Sequence, residues 1–181
     1  MSVRGKVVVV TGAARGVGRY VAGSFARAGC RLAIPEIDTE RMAATAAEFR
    51  SIDLASALAS ISAATEAKVD HFVYVSVAHP APAMKAYWQA RVEAEEALSA
   101  SGMNATVLRP WYVLGPGHRW AYALIPFYAL FRWIPSTRES ALRLGLVTLP
   151  QMLGSLVSAV ESPAIGTRIV EVPEIRRAQV S

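Results

Sequence analysis

The chain has 181 residues, 53% of them apolar and 18% charged, a balance that fills one hydrophobic core and excludes extended disorder. Its net charge of +5 is scattered rather than gathered into a basic, aromatic-interleaved stripe, which argues against a nucleic-acid interface. The single cysteine, Cys30, excludes an internal disulfide and a multi-cysteine metal site and suits a reducing, cytoplasmic compartment. The residues before Val7 lack the apolar segment and small-residue cleavage site of a secretory signal.

Val7–Val10 is a continuous β-branched run, the pattern of a strand buried on both faces of a parallel sheet. A glycine-rich turn over Thr11–Gly18 leads into a helix over Arg19–Ala28, closed by Gly29. Arg31–Pro35 reads as a second strand, followed by the acidic turn Glu36-Ile37-Asp38 and a helix over Glu40–Phe49 capped by Thr39. Arg50–Leu54 is expected as a short third strand, Ala55–Ala67 as a helix and His71–Ser76 as a strand. Pro80 and Pro82 break the chain into a loop before a long helix over Met84–Ser101, stopped by Gly102. Ala105–Arg109 is a strand ending at Pro110, and Val113–Gly117 a loop. Trp120–Ile134 is apolar, but Pro126, Arg132 and a length of ~15 residues, against the ~20 a span needs, argue against a transmembrane helix. Thr148–Glu161 then predicts a helix, Arg168–Val172 a last strand, and the tail from Pro173 a frayed end. This alternation predicts a single α/β domain over residues 1–181, a shortened Rossmann-like doubly wound parallel sheet of about five to six strands flanked by helices. Residues 112–150 form an insertion in it, a substrate lid or a packing element.

Gly12, Gly16 and Gly18 stand in a G-x-x-x-G-x-G spacing between the first strand and the first helix. One glycine permits the tight turn, one lets backbone approach a pyrophosphate, and one lets helix and strand pack closely. With Ala14, Arg15 and Val17 they form a candidate phosphate cradle, because the first turn of a helix offers unpaired amides and partial positive charge to an anion. An acidic residue, Glu36, follows ~20 residues later at the end of the second strand, where it would accept hydrogen bonds from ribose hydroxyls and repel a 2′-phosphate. Glu36 favours NAD, whereas Arg15 would suit the extra phosphate of NADP; NAD is the preferred expectation.

These residues resemble the short-chain dehydrogenase/reductase superfamily. VVVVTGAARGVG is similar to the cofactor motif of its classical branch, and RLAIPEID to that branch's second strand. From His71 the likeness shifts: HFVYVSVAHPAPAMKAYWQARVEAEEALSASGMNATVLRPWYVLGPG resembles the NmrA-like and sugar-nucleotide-epimerase-like members. The resemblance implies that Tyr87 is the catalytic acid/base, that Ser76 orients a substrate carbonyl or hydroxyl, and that Pro110 and Trp111 flank the nicotinamide. A tyrosine near its ordinary pKa of ~10 needs a nearby cation to work at neutral pH. Arg91, four residues on and on the same helix face, stands where the family has lysine. The family's Asn-Ala-Gly turn is missing and the chain is shorter by about one strand–helix unit, so the His71–Ser76 strand is expected beside the first strand, with Asp53 and Leu54 at the adenine.

His71, His79 and His118 show no metal-ligand spacing and receive no chemistry. Glu93, Glu95 and Glu96 read as a solvated helix face, with Arg91 and Glu95 at pairing distance along it. The 120–134 stretch would suit an apolar small-molecule substrate, or a core or homodimer contact. The first functional reading is an NAD(P)-dependent oxidoreductase moving a hydride between nicotinamide and a carbonyl or alcohol. The alternatives are a non-catalytic NmrA-like dinucleotide-binding sensor or assembly protein, and a shortened relative that binds nothing.

Overall fold

The computed structural model describes residues 3–10, 16–33, 46–80, 85–114 and 144–178. Strand β1 (Val7–Val9) is followed by α1 (Gly16–Arg27) and β2 (Arg31–Ala33), which pairs parallel to β1 with Val8 opposite Leu32. Gly29 closes α1 at φ +81°, a left-handed conformation that disfavours any residue with a Cβ. A 21-residue helix, α2 (Ala46–Glu66), leads to β3 (Phe72–Val75). Next come α3 (Lys85–Ala100), ended by Gly102 at φ +72°, and β4 (Ala105–Arg109). The chain continues through β5 (Tyr112–Leu114), β6 (Leu146–Thr148), α4 (Leu149–Glu161), β7 (Thr167–Glu171) and α5 (Val172–Ile175).

Every ladder among the described residues is parallel. β4 lies between β3 and β7, with Tyr74 opposite Val107 and Leu108 opposite Val170, while β5 pairs with β6. Parallel neighbours require crossovers, so helices cover the sheet. On β4, alternation sends Ala105 and Val107 toward α2 and α3, where they pack with Ala57, Ile61, Ala94 and Leu98. Leu108 points the other way, into a larger cluster with Val10, Phe25, Met152, Leu156, Val170 and Ile175. The result is the helix–sheet–helix layering of a doubly wound α/β domain.

The expected elements recur with five differences. Arg50–Leu54 is not a strand but lies inside α2: Leu54, Ala57 and Ile61 repeat at helical spacing on the side facing β3 and β4. Tyr112–Leu114, in and before the expected loop, pairs with β6 instead. The tail is not frayed at Pro173; Val172 and Ile175 are fully buried in a short helix that follows β7. Finally, β1 is buried on one face only. Val8 and Val10 face the core, whereas Val7 and Val9 are 62% and 58% exposed, because the α2–α3 layer packs over β3 and β4 rather than over β1. Among the described residues β1 pairs with β2 and β3 with β4, so the expected β1–β3 neighbourhood is not formed as a ladder. No helix among the described residues is long and apolar enough to cross a membrane, and the apolar 120–134 stretch lies outside those residues.

Candidate active site at the carboxyl ends of the strands

Helix α1 starts at Gly16, at the carboxyl end of β1, and its first turn carries no acidic residue. Its leading amides therefore face no negative side chain of their own, which suits an incoming pyrophosphate. Gly16, Val17 and Gly18 form that first turn. Gly12, Ala14, Arg15 and the selector Glu36 lie outside the described residues.

Ser76 directly follows β3. Its backbone amide donates to the Leu108 carbonyl at 2.8 Å, which anchors it to the end of the ladder. The residue is only 4% exposed, and its Oγ has no hydrogen-bond partner. A buried hydroxyl without a partner is costly unless water or a ligand supplies one.

Arg91 lies one helical turn beyond Tyr87 on α3. Its guanidinium donates to the Tyr74 hydroxyl at 3.2 Å and to the Val75 carbonyl at 3.4 Å, with Cζ 5.9 Å from the centre of the Tyr74 ring. The arginine is thus held against the end of β3. The Tyr87 side chain lies outside the described set. Pro110 is buried and its carbonyl accepts from the Ala78 amide at 2.9 Å, while Trp111 packs against the larger core cluster. Asp53 and Leu54 sit within α2 rather than at a strand end, and Leu54 packs against the α2–α3 core, so the strand end that would bring them to an adenine is absent.

Glu95 departs most from expectation. It is not solvated but 8% exposed, and both its oxygens are engaged by Arg109 rather than Arg91. Arg109 Nε lies 3.2 and 3.1 Å from the two carboxylate oxygens, and Nη2 makes a further short contact to Oε2. Arg109 Nη1 donates to Glu171 Oε1 at 3.2 Å, which ties α3 to the carboxyl ends of β4 and β7. Burial opposes the arginine's charge, but the hydrogen bonds and attraction of Glu95, then of Glu171, outweigh it and raise its pKa. His79 joins the cluster: Nε2 stands 3.5 Å from Glu95 Oε1 without making a hydrogen bond, and its ring stacks on Trp88, 6.1 Å between centroids and 14° apart. The sequence did carry a sign of this network. Arg109 ends an otherwise apolar strand and needs a countercharge, and Glu95 stands one residue off the Ala90–Ala94–Leu98 stripe. Among the described residues no group of three His, Cys, Asp or Glu side chains could hold a metal ion.

A parallel strand–helix–strand unit with glycine-bearing helix start, and polar side chains gathered at the carboxyl ends of the strands, defines a Rossmann-type fold. Residues 6–80 match the family model for short chain dehydrogenase, so over this stretch the chain is similar to that family. A sorbitol dehydrogenase of Cereibacter sphaeroides is 47% identical over 49 residues, 27% of this chain and 19% of that enzyme. The chain therefore spans about a fifth of the length of the curated relative it matches. The enzyme WbmH of Bordetella bronchiseptica, solved in complex with NAD+, superposes with a TM-score of 0.58 at 17% identity, covering 90% of this chain and 74% of that one. RMD from Pseudomonas aeruginosa, complexed with NADPH, gives 0.59 at 14% identity over 94% of this chain and 76% of that one. At these identities the likeness is one of fold.

Proposed function

We propose that this chain binds a nicotinamide dinucleotide at the start of α1 and acts as an NAD(P)-dependent oxidoreductase on a small alcohol or carbonyl compound. The single observation that carries this is the pairing of a β1–α1 cradle, within a short-chain dehydrogenase match, with a buried unpartnered hydroxyl, Ser76 Oγ, at the end of β3.

The nicotinamide ring, when bound, supplies or accepts the hydride. Gly12, Ala14, Arg15, Gly16, Val17 and Gly18 would cradle the pyrophosphate, with Pro110 and Trp111 beside the ring end of the cofactor. Glu36 makes NAD the preferred form. Ser76 Oγ hydrogen-bonds the substrate oxygen and orients it. Tyr87 gives a proton to that oxygen during reduction and takes it during oxidation. Arg91, held at the end of β3 by Tyr74 and Val75, brings positive charge to the helix face on which Tyr87 lies and favours the tyrosinate. The working form is read as cytoplasmic.

Fluorescence titration with NADH and NADPH tests the cradle. Binding of NADH more tightly than NADPH is expected. A folded sample with no affinity for either overturns the proposal. Tyr87→Phe should then lower turnover by at least a hundredfold and leave NADH affinity within about twofold. Dinucleotide binding without turnover of any alcohol or carbonyl compound would favour the sensor reading.

A further inference from the structure

Three buried polar atoms without hydrogen-bond partners fall on one short stretch of chain and the helix beside it: Ser76 Oγ, His79 Nε2 and Trp88 Nε1. Ser76 and His79 are three residues apart at the carboxyl end of β3, and Trp88 stacks on His79 from the first turn of α3. Buried polar groups in folded proteins are nearly always satisfied, so a cluster of unsatisfied ones marks a place where a ligand or ordered water completes the bonding. Their chemistry is specific. An indole N–H only donates, a hydroxyl does both, and a neutral imidazole nitrogen takes either role. Together they suit a molecule with several oxygens, each able to accept and donate.

We infer that Ser76, His79 and Trp88 form the polar end of the substrate pocket, and that Trp88 is a specificity-determining residue selecting a polyhydroxy alcohol or its keto form over a mono-alcohol. The inference rests on the oxidoreductase reading and deepens it. Ser76 binds the reacting oxygen, and Trp88 Nε1 and His79 Nε2 bind hydroxyls further along the substrate. Stacking fixes the indole, and Glu95, clamped by Arg109, holds Oε1 3.5 Å from the same His79 Nε2 without a hydrogen bond, flanking the nitrogen that faces the substrate. An apolar alcohol would leave the indole N–H and the imidazole nitrogen unpaired, which is how a polar site rejects a deoxygenated analogue. The apolar lining expected from residues 120–134 lies outside the described residues.

Trp88→Phe removes the N–H and keeps an aromatic ring over His79. The test is ligand-observed saturation-transfer NMR with sorbitol and with cyclohexanol, on wild type and variant, each with NAD+ present, beside NADH titrations and a circular dichroism check of folding. Sorbitol should receive saturation from the wild type at least tenfold more strongly than cyclohexanol, and Trp88→Phe should abolish that preference while NADH affinity stays unchanged. If turnover is measurable, kcat/KM for sorbitol should fall at least tenfold and that for cyclohexanol less than twofold. No sorbitol signal in the wild type, or an unchanged preference in Trp88→Phe, overturns the inference. NADH binding with no sorbitol signal sinks this inference and spares the oxidoreductase reading. A sorbitol signal lost in Trp88→Phe, with no NADH binding, keeps the polyol pocket and removes the oxidoreductase reading.

Discussion

Arg109 is charged, only 15% exposed at its side chain, and held by two carboxylates from different elements. Its partners cannot be removed lightly, because breaking a largely buried pair leaves an uncompensated charge. Glu95→Ala is expected to destabilise the fold by about 3 kcal/mol in urea denaturation, and far less in an Arg109→Met background. Equal losses in both backgrounds would mean that the pair is not coupled. At this scale the glycine loop, Ser76 and Arg91 were legible as residue types, and a spacing of four put Tyr87 and Arg91 on one helix face. Which carboxylate meets which cation was not legible. Arg109 is 14 residues from Glu95 and 62 from Glu171, and only the packing of α3 over β4, with β7 beside it, makes them neighbours.

Among the elements, those with strong local signals came out within a residue or two of expectation. Thr148 caps α4 through a reciprocal capping box with Gln151, which makes that helix start readable in the chain itself. The misread elements lacked such signals or were imposed by outside reasoning. Arg50–Leu54 carries little strand signal, since its only β-branched residue is Ile52, and the alanine-rich stretches on either side of it favour helix. The segment after Pro173 reads as a frayed end because it is polar, but the fully buried Ile175 anchors it in the core. Ile175→Ala should therefore cost about 3 kcal/mol, measured as a lowered urea midpoint at unchanged slope, whereas a frayed tail would show almost no change.

For the whole molecule, acid sensitivity follows from how the sheet is filled. His71 sits beside β4 with Nε2 3.0 Å from Thr106 Oγ1, and burial, followed by the nearby positive charge of Lys6, lowers its pKa below the ordinary 6.5. The unfolded chain thus takes up a proton more readily than the native one. This contribution to stability is complete above about pH 6.5 and is lost as pH falls from there toward the lower, native-state pKa. His71→Gln should flatten that part of the stability profile between pH 7 and 5, read as urea midpoints across pH. An unchanged profile would show that His71 does not carry it.

Local rules were enough to set the α/β alternation, the parallel ladders and the glycine-bearing helix start, because period, propensity and turn chemistry act over a few neighbouring residues. Tertiary structure alone decided that β1 keeps one face open, that α2 runs unbroken through Asp53 and Leu54, and that Arg109, Glu95, His79 and Trp88 come together. Those outcomes depend on which distant elements share a layer. A carboxylate, an imidazole and an indole look like surface residues until the layer they face is known, and no short-range pattern encodes that.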